Sequence, residues 1–142
     1  MITNLSHTTV YVLDQESAKA FYTEKLGFTL RFDFVMGDGP GGGFRWLTVN
    51  PPAQPDIQFI LADCGMGHAP GHADTIRELV AKGAMGSGVL ATDDCRATFR
   101  ELSARGVVFL TEPVERPYGI EATFRDDSGN VYSLTEALTR KS

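Results

Sequence analysis

Apolar and polar residues alternate along TTVYVL (8–13), which sets Thr9 and Tyr11 on one face and Val10 and Val12 on the other, the two-residue period of a strand. The next stretch, DQESAKAFYTEKLG, changes to helical spacing. Asp14 stands as the cap, Ala18, Phe21, Tyr22 and Leu26 form the apolar stripe, and Gly27 is the stop. FTLRFDFVM alternates again, and GDGPGGG (37–43) reads as a flexible connection between two strands of a hairpin. FRWLTV and DIQFILA then supply two further strands. The first half is therefore βαβββ.

From Gly86 the same order returns. SGVLAT is a short strand, DDCRATFRELSARG an Asp-capped helix with a glycine stop, and VVFL, EATFRD and VYSLTE are strands. Asp14 to Gly27 and Asp93 to Gly106 both span 13 positions, which offsets the halves by 79. Between them GHADTIRELVAKG predicts a linking helix with Ile76, Leu79 and Val80 on its buried face.

A repeat of this length predicts an α+β fold in which two βαβββ repeats form curved mixed sheets around a cavity, with each helix outside its sheet. Two split βαβ units packed helix on sheet satisfy the same pattern. The expected organisation is a single domain over 1–142: a first module at 4–63, a linker with its helix at 64–84, and a second module at 85–138.

Composition narrows the function classes. With 142 residues, 42% of them hydrophobic, the chain can bury a substantial core. The formal charge of -5 and the lack of any basic run exclude phosphate neutralisation, so no nucleic-acid partner is expected. No apolar stretch approaches the ~20 residues that span a bilayer, and MITNLSHTT lacks a secretory pattern, so the expectation is a cytoplasmic protein with no membrane partner. Cys64 and Cys95 have no paired zinc-ribbon spacing and read as reduced thiols.

Several residues carry candidate chemistry. His7 opens the first strand and can serve as a general acid or base, as a hydrogen-bonding wall residue, or as a satisfied core histidine. CGMGHAPGH places Cys64, His68 and His72 four apart, but three glycines and a proline make it a linker rather than a rigid metal loop. GDGPGGG is not followed by Lys-Ser/Thr and opens no helix, so it is read as a hairpin able to close over a ligand, not as a phosphate loop. EPVERPYGIEATF gathers Glu115, Arg116, Tyr118 and Glu121; Arg116 could grip a carboxylate and Glu121 act as a base or face a cation, or the group is an ion-paired edge loop. Trp46, the one tryptophan, is either buried or stacks on a planar ligand.

SHTTVYVLDQESAKAFYTEKLGF, together with the closing FRDDSGNVYSLTE, resembles the signatures of the vicinal oxygen chelate superfamily, which includes glyoxalase I, extradiol dioxygenases, and fosfomycin and bleomycin resistance proteins. The resemblance runs from about Leu5 to Glu136. Its metal-using members place ligands on the first and last strand of each half. Carried onto this chain, those positions are His7, Gln58, Ser87 or its neighbour Gly86, and Ser133; Glu136 falls on the opposite face of the last strand. One imidazole, an amide and hydroxyls make a poor set for a divalent ion, so no cofactor is expected, and a divalent metal at His7 and Gln58 is the lesser alternative.

Two readings of function follow. One is a binding protein of the bleomycin-resistance kind, holding a small molecule between modules without the usual metal, with Gln58, Trp46, Tyr11, Ser87, Arg116, Tyr118 and Ser133 as ligand contacts; Phe59 is a further aromatic in its favour. The other is a lyase, isomerase or dioxygenase of the same superfamily, metal-dependent or using His7 or Glu121 as its base. A structural or interaction module has no support beyond the scarcity of catalytic residues. The resemblance also implies a homodimer.

Overall fold

The computed structural model describes residues 1–37 and 43–138. The elements run β1 (His7–Val12), α1 (Gln15–Ala20), β2 (Thr29–Met36), β3 (Phe44–Asn50), β4 (Gln58–Asp63), α2 (Pro70–Ala81), β5 (Gly86–Ala91), α3 (Cys95–Ala104), β6 (Val108–Arg116), β7 (Gly119–Arg125) and β8 (Val131–Ala137). They form two mixed four-stranded sheets, β1-β4-β3-β2 and β5-β8-β7-β6. The parallel pairs, β1 with β4 and β5 with β8, need the long crossovers that the repeat supplies. This is the α+β arrangement of two βαβββ units. Most of the glycine-rich 37–43 connection, residues 38–42, lies outside the described residues.

The two capped helices differ by one residue. Asp14 accepts from the Ser17 amide, but in the second repeat Asp94, not Asp93, caps the helix by accepting from the Ala97 amide. From Asp94 to Gly106 is 12 positions, one fewer than from Asp14 to Gly27. The first repeat absorbs its extra residue in a π-helical turn, Phe21–Lys25, continuous with α1. That turn carries Tyr22 into the core. The α2 helix buries Ala73 and Val80, while Leu79, expected inside, is exposed.

Alternation gives each sheet a core face and an open face. In the first sheet Val10, Val12, Leu47, Val49, Phe59 and Leu61 are buried in one cluster with Ala122, Phe124, Tyr132 and Leu134 of the second. Phe59 is thus a core residue, packed edge-on against Phe28 at 5.5 Å. Asp126 ties the halves together. Its Oδ1 accepts the amides of Ser128, Gly129 and Asn130, and its Oδ2 accepts from the Asn130 amide side chain and, at 2.6 Å, from the Tyr22 hydroxyl. Asn130 Nδ2 also donates to the Tyr11 carbonyl at 2.8 Å, and the Leu13 amide donates to Ser128 Oγ at 2.9 Å. Burial, with Tyr132 and Asp126 alongside, holds the Tyr22 phenol well above its ordinary pKa, so it remains a donor. Gly129 is required here: it has φ +121°, and a Cβ would collide with the Val80 carbonyl.

On the core side of β2 and β3, Arg45 forks onto Asp33 through Nε and Nη2, each at 2.8 Å, while Lys19 reaches the same carboxylate at 2.8 Å. Hydrogen bonds from Arg45 and then Lys19 hold the Asp33 carboxyl well below the usual range. Because the folded-state pKa is depressed, this stabilisation is complete above the unfolded value of about 3.9 and is lost as pH falls below it toward the folded value. Asp33→Ala should lower stability at neutral pH by about 1–2 kcal/mol. It should also flatten the dependence of the urea midpoint on pH between about pH 4 and pH 2.

Candidate binding face

Opposite the core, the first sheet presents a row of aromatic side chains. Phe34 pairs directly with Trp46 across β2 and β3, Phe32 with Thr48, and Met36 with Phe44. Phe32, Phe34 and Phe44 are 46%, 46% and 44% exposed, values that place them on a surface rather than in the core. Next to them, His7 and Gln58 are cross-strand partners, and the His7 ring lies 5.9 Å from that of Trp46. The two-residue period explains the grouping: β3 turns Leu47 and Val49 into the core cluster and Trp46 and Thr48 to the opposite face, where Trp46 is half-buried and Thr48 fully buried.

The polar groups of this face are partly spent. His7 Nδ1 is 2.9 Å from Ser6 Oγ, and Thr48 donates to Gln58 Oε1 at 2.7 Å. Asn50 is 2% exposed; its amide nitrogen donates to the carbonyls of Pro51 and Gln54, while its Oδ1 has no partner. Tyr11 lies at the far end, edge-on to His68 at 5.0 Å. His68 Nδ1 faces the Cys64 carbonyl, the buried Cys64 thiol donates to the Val12 carbonyl, and His72 is exposed on α2. That trio does not converge.

The remaining candidates stand on the second sheet. Glu121 and Ser133 occupy its open face, where Ser133 Oγ donates to Glu121 Oε2 at 2.9 Å. Tyr118 is exposed, and the nearby Glu121 carboxylate raises its phenol pKa. Arg116 is exposed at the end of β6, opposite Gly119. Ser87 lies at the irregularity between Gly86 and Gly88. Glu136 is on the other face of β8, as alternation predicts, and accepts the Cys95 amide at the start of α3. The stretch Glu112–Arg116, for which an edge loop was one expectation, is part of the edge strand β6, where a register shift accommodates Pro113.

His7 and Glu121 therefore belong to separate sheets. The positions where metal-using members of the superfamily carry ligands hold an imidazole, an amide whose carbonyl is engaged by Thr48, and a hydroxyl engaged by Glu121. These donors do not suit a divalent ion. Among the described residues no three His, Cys, Asp or Glu side chains gather.

A cavity of about 720 Å³ lies at the seam between the modules, lined by Leu26, Phe28, Ile57, Leu90, Leu102 and Leu134 among others. Its charged rim is self-satisfied, with Arg105 donating to Glu101 and to the Lys25 carbonyl. The aromatic face has less enclosure but sets exposed aromatic rings beside His7 and Gln58, so it is the stronger binding candidate. Sequence reading found His7, Tyr11, Trp46 and Gln58 on this face and missed Phe32, Phe34, Phe44, Thr48 and Asn50. Extending the alternation of β1 to FTLRFDFVM and FRWLTV picks out Phe32, Phe34, Phe44 and Thr48; Asn50 lies one residue beyond.

Comparison with known proteins agrees with this architecture. The profile of the Glyoxalase/Bleomycin resistance protein/Dioxygenase superfamily matches residues 4–134. The crystal structure of UcmS2 is 48% identical, with a TM-score of 0.88, covering 96% of this chain and 100% of that one. TnmS3, an antibiotic binding protein from Streptomyces sp. CB03234, is 34% identical, with a TM-score of 0.73 and coverage of 96% and 98%. YetH, an uncharacterized protein of Bacillus subtilis (strain 168), is 32% identical over 136 residues, 96% of this chain and all of that one.

Proposed function

Because the chain belongs to the Glyoxalase/Bleomycin resistance protein/Dioxygenase superfamily, we propose that it binds and sequesters an aromatic small molecule of the antibiotic kind on the open face of its first sheet, without a metal. The observation that carries this reading is the row of exposed Phe32, Phe34 and Phe44 with half-buried Trp46, beside His7 and Gln58. Soluble proteins seldom leave such a patch uncovered without a partner for it. Aromatic rings offer large, flat contact area to a planar ligand. The antibiotic-binding relative TnmS3 supports the same class of ligand.

The working unit in this reading is a homodimer. The second sheet also leaves apolar residues open, Val89, Val108 and Val114 among them, beside Ser133 and Glu121. A second copy could set that face over the aromatic row and bring His7 and Glu121 into one chamber. Light scattering should then give twice the 15.5 kDa chain mass.

The direct test of binding uses the single tryptophan. A planar aromatic antibiotic titrated into the protein with EDTA present should quench Trp46 emission to saturation. Binding that left the emission unchanged would remove Trp46 from the site. Conversion of the ligand only after adding a divalent metal would favour the metal-dependent lyase, isomerase or dioxygenase reading instead.

A further inference from the structure

Resting on the aromatic-face reading, we infer that Gln58 determines ligand specificity: held by the buried Thr48, it presents its amide NH2 to the face and selects aromatic ligands that carry a carbonyl-type acceptor.

The orientation follows from hydrogen-bond accounting. Thr48 is fully buried, and a buried hydroxyl must place its hydrogen on an acceptor. Among the described residues the Thr48 hydroxyl bonds only to Gln58 Oε1, at 2.7 Å. The reverse amide orientation would leave the Thr48 hydrogen facing an NH2 group, with no acceptor. The carbonyl end of Gln58 is therefore spent, and Nε2 is the end left over. Among the described residues Nε2 meets no acceptor. Gln58 is only half-buried, so in the free protein water can satisfy it.

A ligand stacked on Trp46 and Phe34 would cover the adjacent Gln58 and displace that water. A ligand with a ketone or quinone oxygen at this position replaces the lost bond, whereas a hydrocarbon of the same shape leaves two N–H donors unpaired. Sites built around a donor reject the analogue that lacks the matching acceptor more strongly than apolar pockets reject a change of shape. The residue types fit this role: an amide fixed at one end is a neutral donor, suited to a neutral acceptor and indifferent to a metal.

Fluorenone carboxylate and fluorene carboxylate provide the test, since they share ring system and charge and differ in one ketone oxygen. By calorimetry the wild-type protein should bind the ketone roughly 10-fold or more tightly than the hydrocarbon. Gln58→Glu keeps an acceptor for Thr48 but turns an acceptor toward the ligand, so the preference should vanish or reverse. Thr48→Val, close in shape, frees Gln58 to turn and should shrink the preference while both probes still bind. A merely structural role for Thr48 would weaken both probes together and leave their ratio unchanged.

Equal affinities in the wild-type protein, or a ketone preference that survives Gln58→Glu, overturns the inference alone, because Trp46→Ala would still weaken both probes. If neither probe binds, the aromatic-face reading fails and the inference falls with it.

Discussion

Asp126→Ala should cost the fold on the order of 4 kcal/mol or more, enough to leave a domain of ordinary stability largely unfolded. The carboxylate is 1% exposed and accepts five hydrogen bonds, three of them from consecutive backbone amides of its own turn. Removing it leaves buried donors without acceptors, each costing about 1–3 kcal/mol, although the turn will relax to recover part of that. The damage should not remain local. The same turn holds Tyr22 of the first repeat and, through Asn130 and Ser128, the end of β1. Tyr22→Phe keeps the packing and removes one bond, so it should cost only about 1–2 kcal/mol. Urea unfolding of the two variants provides the comparison. A loss below about 1 kcal/mol for Asp126→Ala would mean that the inter-module connection described here does not support the fold.

Trp46→Ala should weaken binding of a planar aromatic ligand about 30-fold or more, the range of a buried aromatic anchor at the centre of an interface. Phe34→Ala, removing its cross-strand neighbour, should weaken it somewhat less. Because both rings would contact one ligand, the double variant should lose less than the sum of the single losses. Calorimetry is the right readout, since Trp46→Ala removes the only tryptophan. The inward residues Leu47 and Val49 are untouched by either change, so unfolding midpoints should move little by comparison with Asp126→Ala. Full affinity in both variants would place the ligand elsewhere, with the seam cavity as the next candidate.

The strand and helix order was legible in the sequence because each element carries its own period, and so was the repeat. The finer discrepancies have local physical causes. Asp93 and Asp94 are equally good caps by type, and only the register of the following turn selects Asp94. The equal spacing of 13 residues taken from Asp93 hid the extra residue that the first repeat accommodates as a π turn. Pro113 in EPVER argues for a loop, yet an edge strand tolerates it where pairing is already interrupted. Phe59, counted from the sequence as an aromatic in favour of binding, faces the core, while its neighbour Gln58 stands on the alternate face.

The candidate site was legible only in part. His7 and Gln58 stand at positions that the resemblance marks, and Trp46 attracts notice as the only tryptophan. Thr48 carries no motif. Its importance comes from burial and from a diagonal contact between the paired strands β3 and β4, whose register the alternation of either strand alone does not set. For the same reason sequence reading grouped His7, Ser87, Glu121 and Ser133 as one site, while a single chain holds them on two sheets.

The most direct test of the central claim is equilibrium binding of a planar aromatic antibiotic to the purified protein, with and without EDTA, followed by recovery and chemical analysis of the ligand. Saturable binding at one ligand per chain, unaffected by EDTA and returning the ligand unaltered, is the result predicted here. Binding that disappears with EDTA and returns on adding a divalent metal, with an altered ligand recovered, would contradict it.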